Sequence, residues 1–166
     1  RCRARMNVDG ELVSLVYGRP ISIHVDPIEK KPFYHFRPGA SALSLATAGC
    51  PLRCKFCQNW EISQFRPEQV RAQYLPPEHL VALARRTQAK LTAATYSEPV
   101  VFWEFVRDVA RASRSAGIAP TVVSNGYIQR KPLEQVLPLL RAVKIDLKAF
   151  REAFYREQVR GTLKPV

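Results

Sequence analysis

The stretch SALSLATAGCPLRCKFCQNW, residues 41–60, joins a short strand-like segment to three closely spaced cysteines. Residues 41–49 are small and β-like, and they lead directly into Cys50, Cys54 and Cys57, spaced C-x3-C-x2-C. Gly49 and Pro51 flank the first cysteine and favour a loop over a buried helix. Three thiols in one short loop of a chain without an export signal predict a metal or iron–sulfur site.

The chain after residue 40 alternates between strand and helix patterns. Strands are predicted at 41–49, 92–97, 119–127 and 143–150, and helices at 77–91, 98–117, 132–137 and from 151 onward. Alternating β and α units predict an α/β fold with a parallel sheet and right-handed crossovers.

Each predicted strand ends in a polar cluster. The cysteine loop follows the first strand, and TYSEP (95–99), SNGY (124–127) and DLKAF (146–150) end the next three. Ligands bind at the carboxyl ends of the strands in such sheets, so these clusters are expected to share one rim.

The N-terminal part of the sequence does not show this alternation of strand and helix patterns. Residues 11–25 predict a β-hairpin around Gly18-Arg19-Pro20, and residues 26–39, with three prolines, predict an extended loop. We therefore expect an N-terminal extension at 1–39 and an α/β unit at 40–166. Residue 1 is not methionine, so the chain is expected to be a fragment or a processed piece.

Composition narrows the class of protein. Hydrophobic residues make up 46% of 166 residues, which is typical of a globular chain. No apolar run approaches the roughly 18 residues of a membrane span, and we expect a cytoplasmic protein without a membrane partner. The net charge of +12 suggests nucleic acid as a partner, but no aromatic–basic interleaving accompanies it, which favours a solvated basic surface.

Three thiolates can hold three corners of a [4Fe–4S] cluster and leave one iron without a protein ligand. An open coordination position on a metal is typical of catalysis, because a substrate or cofactor can enter there. A zinc site is the alternative, and it would need a fourth ligand such as Cys2, His24, His35 or His79. None of these has a usual zinc-finger spacing from the three cysteines.

The motif CPLRCKFC, with Phe56 as the aromatic residue before the third cysteine, resembles that of the radical S-adenosylmethionine (SAM) superfamily. The resemblance implies a partial (βα) barrel of about four units, truncated at its C-terminal side, since the family usually has six. It also implies that SAM binds the open iron and is cleaved reductively, producing a 5′-deoxyadenosyl radical that removes hydrogen from a substrate.

The resemblance extends to the other strand ends and implies a SAM-binding role for their residues. Glu98 would accept a hydrogen bond from the SAM ammonium, in a segment where the family often has Gly-Gly instead of Thr95-Tyr96. Ser124 would contact the SAM carboxylate, Asp146 the ribose hydroxyls and Lys148 the carboxylate. Phe56 completes the set of cofactor-binding residues. For Asp146 and Lys148, a plain salt bridge on the rim is the alternative.

VVSNGY and VKIDLKAF are similar to motifs of the glycyl-radical (pyruvate formate-lyase) activating-enzyme branch, and the N-terminal half resembles the radical SAM protein of the AmmeMemoRadiSam system. This implies an oxidoreductase with an external electron donor and a protein or small-molecule substrate. A protein partner is expected at the open barrel edge. The alternatives are a non-catalytic iron–sulfur or zinc module, with His35 as a fourth ligand, and an RNA-modifying protein.

Overall fold

The computed structural model describes residues 3–166 and contains two β-sheets. Strands β1 (Arg5–Val8) and β2 (Glu11–Ser14) form a separate antiparallel pair. The main sheet has the order β3-β4-β5-β6-β7. Its strands are β3 (Ser22–Pro27), β4 (Ser41–Ala46), β5 (Leu91–Ala94), β6 (Ala119–Ser124) and β7 (Ala142–Ile145).

Strands β4 to β7 are parallel, as the alternating sequence pattern predicts. The α-helices are α1 (Trp60–Ser63), α2 (Pro77–Arg86), α3 (Trp103–Ser115), α4 (Arg130–Val136) and α5 (Glu152–Phe154). A π-helical turn, Tyr155–Val159, continues α5, and 3-10 turns lie at Ile28–Lys30, Pro67–Gln69, Pro99–Phe102 and Leu137–Leu139. The α/β fold agrees with a partial radical SAM barrel.

Most predicted elements from residue 40 onward are shorter in the structure than their sequence patterns. Helix α2 ends at Arg86 because Gln88 adopts a positive φ of 57° and turns the chain, so that Leu91 starts β5. Strand β7 ends at Ile145, so Asp146 and Lys148 lie in the loop beyond it. The prediction of a strand over 143–150 is therefore wrong beyond residue 145, although Asp146 and Lys148 remain at the carboxyl end of β7.

The predicted hairpin around residues 18–20 is also wrong. The hairpin lies earlier, between β1 and β2, and Asp9 and Gly10 form its turn with φ values of 50° and 89°. An Asp-Gly pair supplies the positive φ values that a tight hairpin turn requires. Strand β3 instead pairs antiparallel with β4, for example His24 with Ser44, and so joins the main sheet.

The two faces of the main sheet are covered differently. On one face, α2 and α3 share a buried apolar cluster with sheet residues such as Leu43, Leu45 and Val122. On the other, Ile28 and Phe33 from the N-terminal extension cover small sheet residues such as Ala93. The extension thus packs against the inner side of the sheet.

Within residues 3–166, strand β7 pairs only with β6 and forms an edge of the sheet. Ile145, Leu147 and Phe150 on and after this strand are exposed, Phe150 to 88%. No helix in the described part of the chain is long and apolar enough to cross a membrane.

Candidate cofactor site

A cavity of about 490 Å³ opens at the carboxyl ends of the parallel strands. This volume is within the usual range for small-molecule sites. The sequence-predicted site residues all line it: Cys50, Cys54, Phe56, Cys57, Glu98, Ser124, Asp146 and Lys148. The fold therefore brings together residues that are almost a hundred positions apart in the chain.

The cysteine loop is held in place by the C-terminal segment. Backbone hydrogen bonds run from Arg53 N to Val159 O (3.0 Å) and from Lys55 N to Gln158 O (2.8 Å). Beneath the loop, Leu52 packs with Tyr155 and Val159 in a small buried cluster that Cys50 and Cys54 also contact. The π-helical turn thus forms the base of the loop.

All three thiols are free and half-buried. The Cys57 Sγ lies 3.2 Å from Ser63 Oγ, and Asn125 Nδ2 lies 3.7 Å from Cys50 Sγ. Burial raises the pKa of Cys50, with Glu98 as a further cause, and burial also raises the pKa of Cys54. A thiolate at either position would therefore need positive charge beside it, which iron would supply.

No three His, Cys, Asp or Glu side chains among residues 3–166 converge closely enough to hold one metal ion. Zinc would require its thiolates about 2.3 Å from a common centre. None of the described candidates for a fourth zinc ligand, His24, His35 and His79, lines the cavity, and Cys2 lies outside the described residues. The three thiols nevertheless line one and the same cavity.

Glu98 is buried at the wall of the cavity, with a residue exposure of 2%. Its carboxylate accepts hydrogen bonds from Ser124 Oγ (2.7 Å), Asn125 N (2.9 Å) and Val100 N (3.1 Å). Burial raises the pKa of Glu98 despite these three hydrogen bonds. In the described residues, no cation forms an ion pair with Glu98, so it could accept the ammonium of a ligand.

The Ser124-Asn125-Gly126 turn orients several of these groups. Ser124 Oγ accepts a hydrogen bond from Gly126 N (3.0 Å) while it donates to Glu98. Asn125 faces Cys50 through its amide, and its Oδ1 accepts from Tyr127 N (2.9 Å). Asn125 was not predicted to be a site residue, because an Asn-Gly pair in a sequence indicates only a turn.

Asp146 and Lys148 form an ion pair with each other at the cavity rim. Lys144 also pairs with Asp146, at 3.0 Å. Burial opposes ionisation of Asp146, but hydrogen bonds from Lys148 and Lys144 outweigh it and lower the pKa of Asp146. This ion pair is the salt bridge that the sequence analysis gave as the alternative to ligand binding. Both residues also line the cavity, so they could contact a ligand there.

Tyr96 occupies a position where the resembling family often has glycine, and it keeps a glycine-like conformation with a φ of 66°. Its hydroxyl contacts Asp26 and accepts from Lys31 Nζ (2.8 Å), and its carbonyl accepts from Asn59 Nδ2 (3.1 Å). These contacts hold the strained backbone and connect the extension to the cysteine loop.

The Asp26–Lys31–Tyr96 cluster was not predicted from the sequence. The side chain of Lys31 is 1% exposed and its Nζ lies 2.7 Å from Asp26 Oδ2 and 4.0 Å from the centre of the Tyr96 ring. The only sequence signal would have been two lysines in a loop, which normally indicate a solvated surface. Phe56, in contrast, was predicted and lies at the cavity mouth, 51% exposed, beside the ring of Phe154 at 5.9 Å.

Comparison with known proteins agrees with this geometry. The model of the radical SAM superfamily matches residues 44–165. An uncharacterised protein of Methanocaldococcus jannaschii is 41% identical over 165 residues, which are 99% of this chain and 49% of that protein. The chain thus spans about half the length of this curated relative.

A solved structure of TYW1 with a lysine–pyruvate adduct bound has a similar fold. The TM-score is 0.51 with 20% sequence identity, over 75% of this chain and 47% of that one. At this identity the likeness concerns the fold alone. The family match covers most of the chain, including the cysteine loop and all the strand ends that line the cavity. The chain belongs to the radical SAM superfamily.

Proposed function

We propose that Cys50, Cys54 and Cys57 hold a [4Fe–4S] cluster whose open iron binds SAM. The bound cluster would supply one electron that cleaves SAM into methionine and a 5′-deoxyadenosyl radical, which takes a hydrogen atom from a substrate. The observation that carries the proposal is the cavity itself, in which three free thiols face a buried, unneutralised Glu98 carboxylate. The protein would then be a radical SAM oxidoreductase.

The residues of the chain would bind and orient SAM. Glu98 would accept hydrogen bonds from the SAM ammonium, and this positive charge would offset the burial of the carboxylate. Ser124 donates its only hydroxyl proton to Glu98 at 2.7 Å, so it would have to turn this proton from Glu98 to the SAM carboxylate when the ligand binds. Phe56 would pack against the ligand at the cavity mouth.

Asp146 and Lys148 would exchange partners when SAM binds. Lys148 would turn from Asp146 to the SAM carboxylate, and Asp146 would accept hydrogen bonds from the ribose hydroxyls. Lys144, at 3.0 Å from Asp146, would keep the Asp146 charge balanced during the exchange.

The finer assignment rests on sequence resemblance. The motifs at the ends of β6 and β7 support an activating-enzyme-like role, with a protein or a small molecule as substrate and an external electron donor. The similarity to the radical SAM protein of the AmmeMemoRadiSam system supports the same assignment. A cytoplasmic location, the domain division at residue 39 and a partner at the β7 edge are parts of this proposal.

The test is anaerobic reconstitution of the complete protein with iron and sulfide, reduction by dithionite and addition of SAM. We expect 5′-deoxyadenosine by chromatography and a SAM-dependent change in the EPR spectrum of the reduced cluster. Cys54→Ala should abolish both, whereas Cys2→Ala is the matched control and should retain both.

Two results would contradict the proposal. A reconstituted, folded protein that forms no 5′-deoxyadenosine and shows no SAM-dependent spectral change would be a non-catalytic iron–sulfur module. Stoichiometric zinc that withstands anaerobic iron reconstitution would indicate a structural zinc site instead.

A further inference from the structure

Two lysines of the N-terminal extension line the cavity that would hold the cluster and SAM. Lys30 ends the 3-10 turn after β3, Lys31 follows it, and both line the cavity together with Tyr96. The side chain of Lys31 is 1% exposed, whereas that of Lys30 is 62% exposed. We call Lys30 and Lys31 the lysine pair. The proposed SAM contacts use neither of them, so this lining of the cavity has no assigned ligand.

The lysine pair shares a single carboxylate. Asp26 accepts a hydrogen bond from Lys30 Nζ at 2.9 Å and from Lys31 Nζ at 2.7 Å. Tyr96, whose hydroxyl accepts from Lys31 Nζ at 2.8 Å, is neutral at pH 7, because burial and Asp26 raise its pKa to about 12. No second acid pairs with either lysine within residues 3–166. The group therefore keeps one unbalanced positive charge.

The two ammonium groups also have hydrogen-bond donors to spare. An ammonium group has three N–H donors; Lys30 uses one of them and Lys31 uses two. The remaining three N–H groups have no acceptor in the part of the chain that the structure describes. Ser97, next to Tyr96 in the chain, also lines the cavity, and its buried hydroxyl has no partner among the same residues. Spare donors of this kind favour a ligand with several acceptor oxygens.

Burial makes the excess positive charge costly. It lowers the pKa of Lys31, although the hydrogen bond and the charge of Asp26 oppose this change. A further anion beside the lysine pair would reduce that cost. One lysine is enough to neutralise Asp26 and to fasten the extension to the end of β5. The second lysine, and the charge it adds at the cavity, therefore exceed what this structural role requires.

We propose that the lysine pair binds a carboxylate or phosphate group of the substrate, and that the substrate is a small anionic molecule. This inference rests on the proposed function and adds the chemical class of the molecule that loses the hydrogen atom. The anion would receive charge-assisted hydrogen bonds from both lysines. A small molecule is favoured over a protein because Lys31 is almost completely buried and the cavity has the volume of a small-molecule site.

The test measures binding of two probes, inorganic phosphate and malonate, to the complete, anaerobically reconstituted protein with SAM present. Equilibrium dialysis with radiolabelled probes measures the affinity. We expect Lys30→Gln to bind the preferred probe at least about 10-fold more weakly, because one charged donor is lost. Lys131→Gln, which removes an exposed lysine of α4, is the matched control and should bind like the unmodified protein. The probe that binds more tightly shows whether the substrate group is a phosphate or a carboxylate.

Lys31→Gln should also weaken binding of the probe, by at least the same factor. This change alters a buried ion pair, so circular dichroism is used to check that the variant folds. Lys30→Gln tests the proposal independently of that outcome, since the Lys30 side chain is largely exposed.

Three results would overturn the inference. Equal probe binding by Lys30→Gln, Lys131→Gln and the unmodified protein would indicate an adventitious ion only. Failure of the unmodified protein to bind either probe would exclude an anion site. Competition between SAM and the probe, with affinity lost in Lys148→Gln but kept in Lys30→Gln, would place the anion at the position of the SAM carboxylate.

The two proposals fail differently. If the unmodified protein forms no 5′-deoxyadenosine with dithionite and SAM, the proposed function fails, while dialysis without SAM still reports on the lysine pair. If 5′-deoxyadenosine forms and probe binding does not depend on Lys30 and Lys31, only the anion site fails.

Discussion

Glu98 places a carboxylate in the wall of the cavity where only neutral groups donate hydrogen bonds to it. Burying a charge without a counter-ion is costly, and a ligand cation would reduce that cost. Glu98 caps the turn at Pro99–Phe102 by accepting a hydrogen bond from Val100 N. Its burial without a paired cation also suits it to receive the ammonium group of a ligand.

Replacing Glu98 with Gln should weaken SAM binding, because the side chain keeps its size but loses its charge. We expect a dissociation constant raised by about 10-fold or more, which corresponds to about 1.4 kcal/mol. Calorimetry on the anaerobically reconstituted protein measures this. Glu104→Gln, which changes a carboxylate paired with Arg5 outside the cavity, is the control. Equal SAM affinity of the Glu98 and Glu104 variants would contradict the prediction.

At this scale, the spacing of the cysteines predicts a metal or cluster site, because three thiols in one short loop are typical of such binding; the structure places all three at one cavity, and ligation by them stays a prediction. Glu98 and Ser124 could be placed because they end strands of one parallel sheet. Tyr96 and Lys31 could not be placed, since their roles depend on a backbone torsion and on a contact spanning 65 positions, neither of which leaves a sequence pattern.

The cysteine loop and the C-terminal π-helical turn behave as one element. Leu52, Tyr155 and Val159 are each at most 1% exposed and pack against one another below the thiols. A Cβ on Gly161 would lie 2.6 Å from Leu52 Cδ2, so the chain passes very close to the loop at this point. Packing in this cluster should therefore control how firmly the thiols are held.

Leu52→Ala should loosen the cysteine loop more than it loosens the rest of the protein. We expect a loss of about 3 kcal/mol in the free energy of unfolding, as for other buried leucines, and several-fold faster alkylation of Cys50 and Cys54 in the cluster-free protein. Leu80→Ala is the control, since Leu80 is equally buried in α2. Urea unfolding and mass spectrometry of alkylated peptides measure the two effects. Equal thiol reactivity in both variants would show that Leu52 has no local role.

The elements themselves were largely predictable, because hydrophobic periodicity identified the strands and helices from residue 40 onward. The N-terminal hairpin was misplaced because Gly18-Arg19-Pro20 is a turn signal as well, and only pairing with β4 decides where residues 22–27 lie. Such long-range pairing is fixed by the packing of the whole sheet.

At the scale of the molecule, the N-terminal extension is part of the main sheet and covers its inner face. The Asp26–Lys31–Tyr96 cluster fastens it to the end of β5. Burial opposes ionisation of Asp26, but hydrogen bonds from Lys31, Tyr96 and Lys30 outweigh it and hold the pKa of Asp26 well below its usual range. Burial and the contact with Asp26 raise the pKa of Tyr96 to about 12.

The lowered pKa of Asp26 makes the stability depend on pH. Its contribution is complete above the unfolded-state pKa of about 4 and is lost as the pH falls through the lower folded-state value. Asp26→Asn should therefore destabilise the protein at pH 7, by about 3 kcal/mol because Lys31 loses its buried counter-charge. Below about pH 4 the difference from the unmodified protein should shrink.

Chemical denaturation from pH 2 to pH 8 measures this difference, with Asp9→Asn in the exposed β1–β2 turn as the control. A difference that stays constant over the whole range would mean that the charge of Asp26 is not the cause.

Hydrogen bonds through Tyr96 and Asn59 connect the extension to the cysteine loop. This connection affects how much of the N-terminal part a functional fragment of the protein has to include. The family match starts at Ser44, inside β4, whereas the hydrogen-bonded network already includes Asp26 and Lys31. A chain trimmed to the matched region would expose the inner face of the sheet and release Tyr96 from its anchors. The region matched by the family model is therefore narrower than this hydrogen-bonded network, and any dissection of this protein should keep the chain from β3 onward.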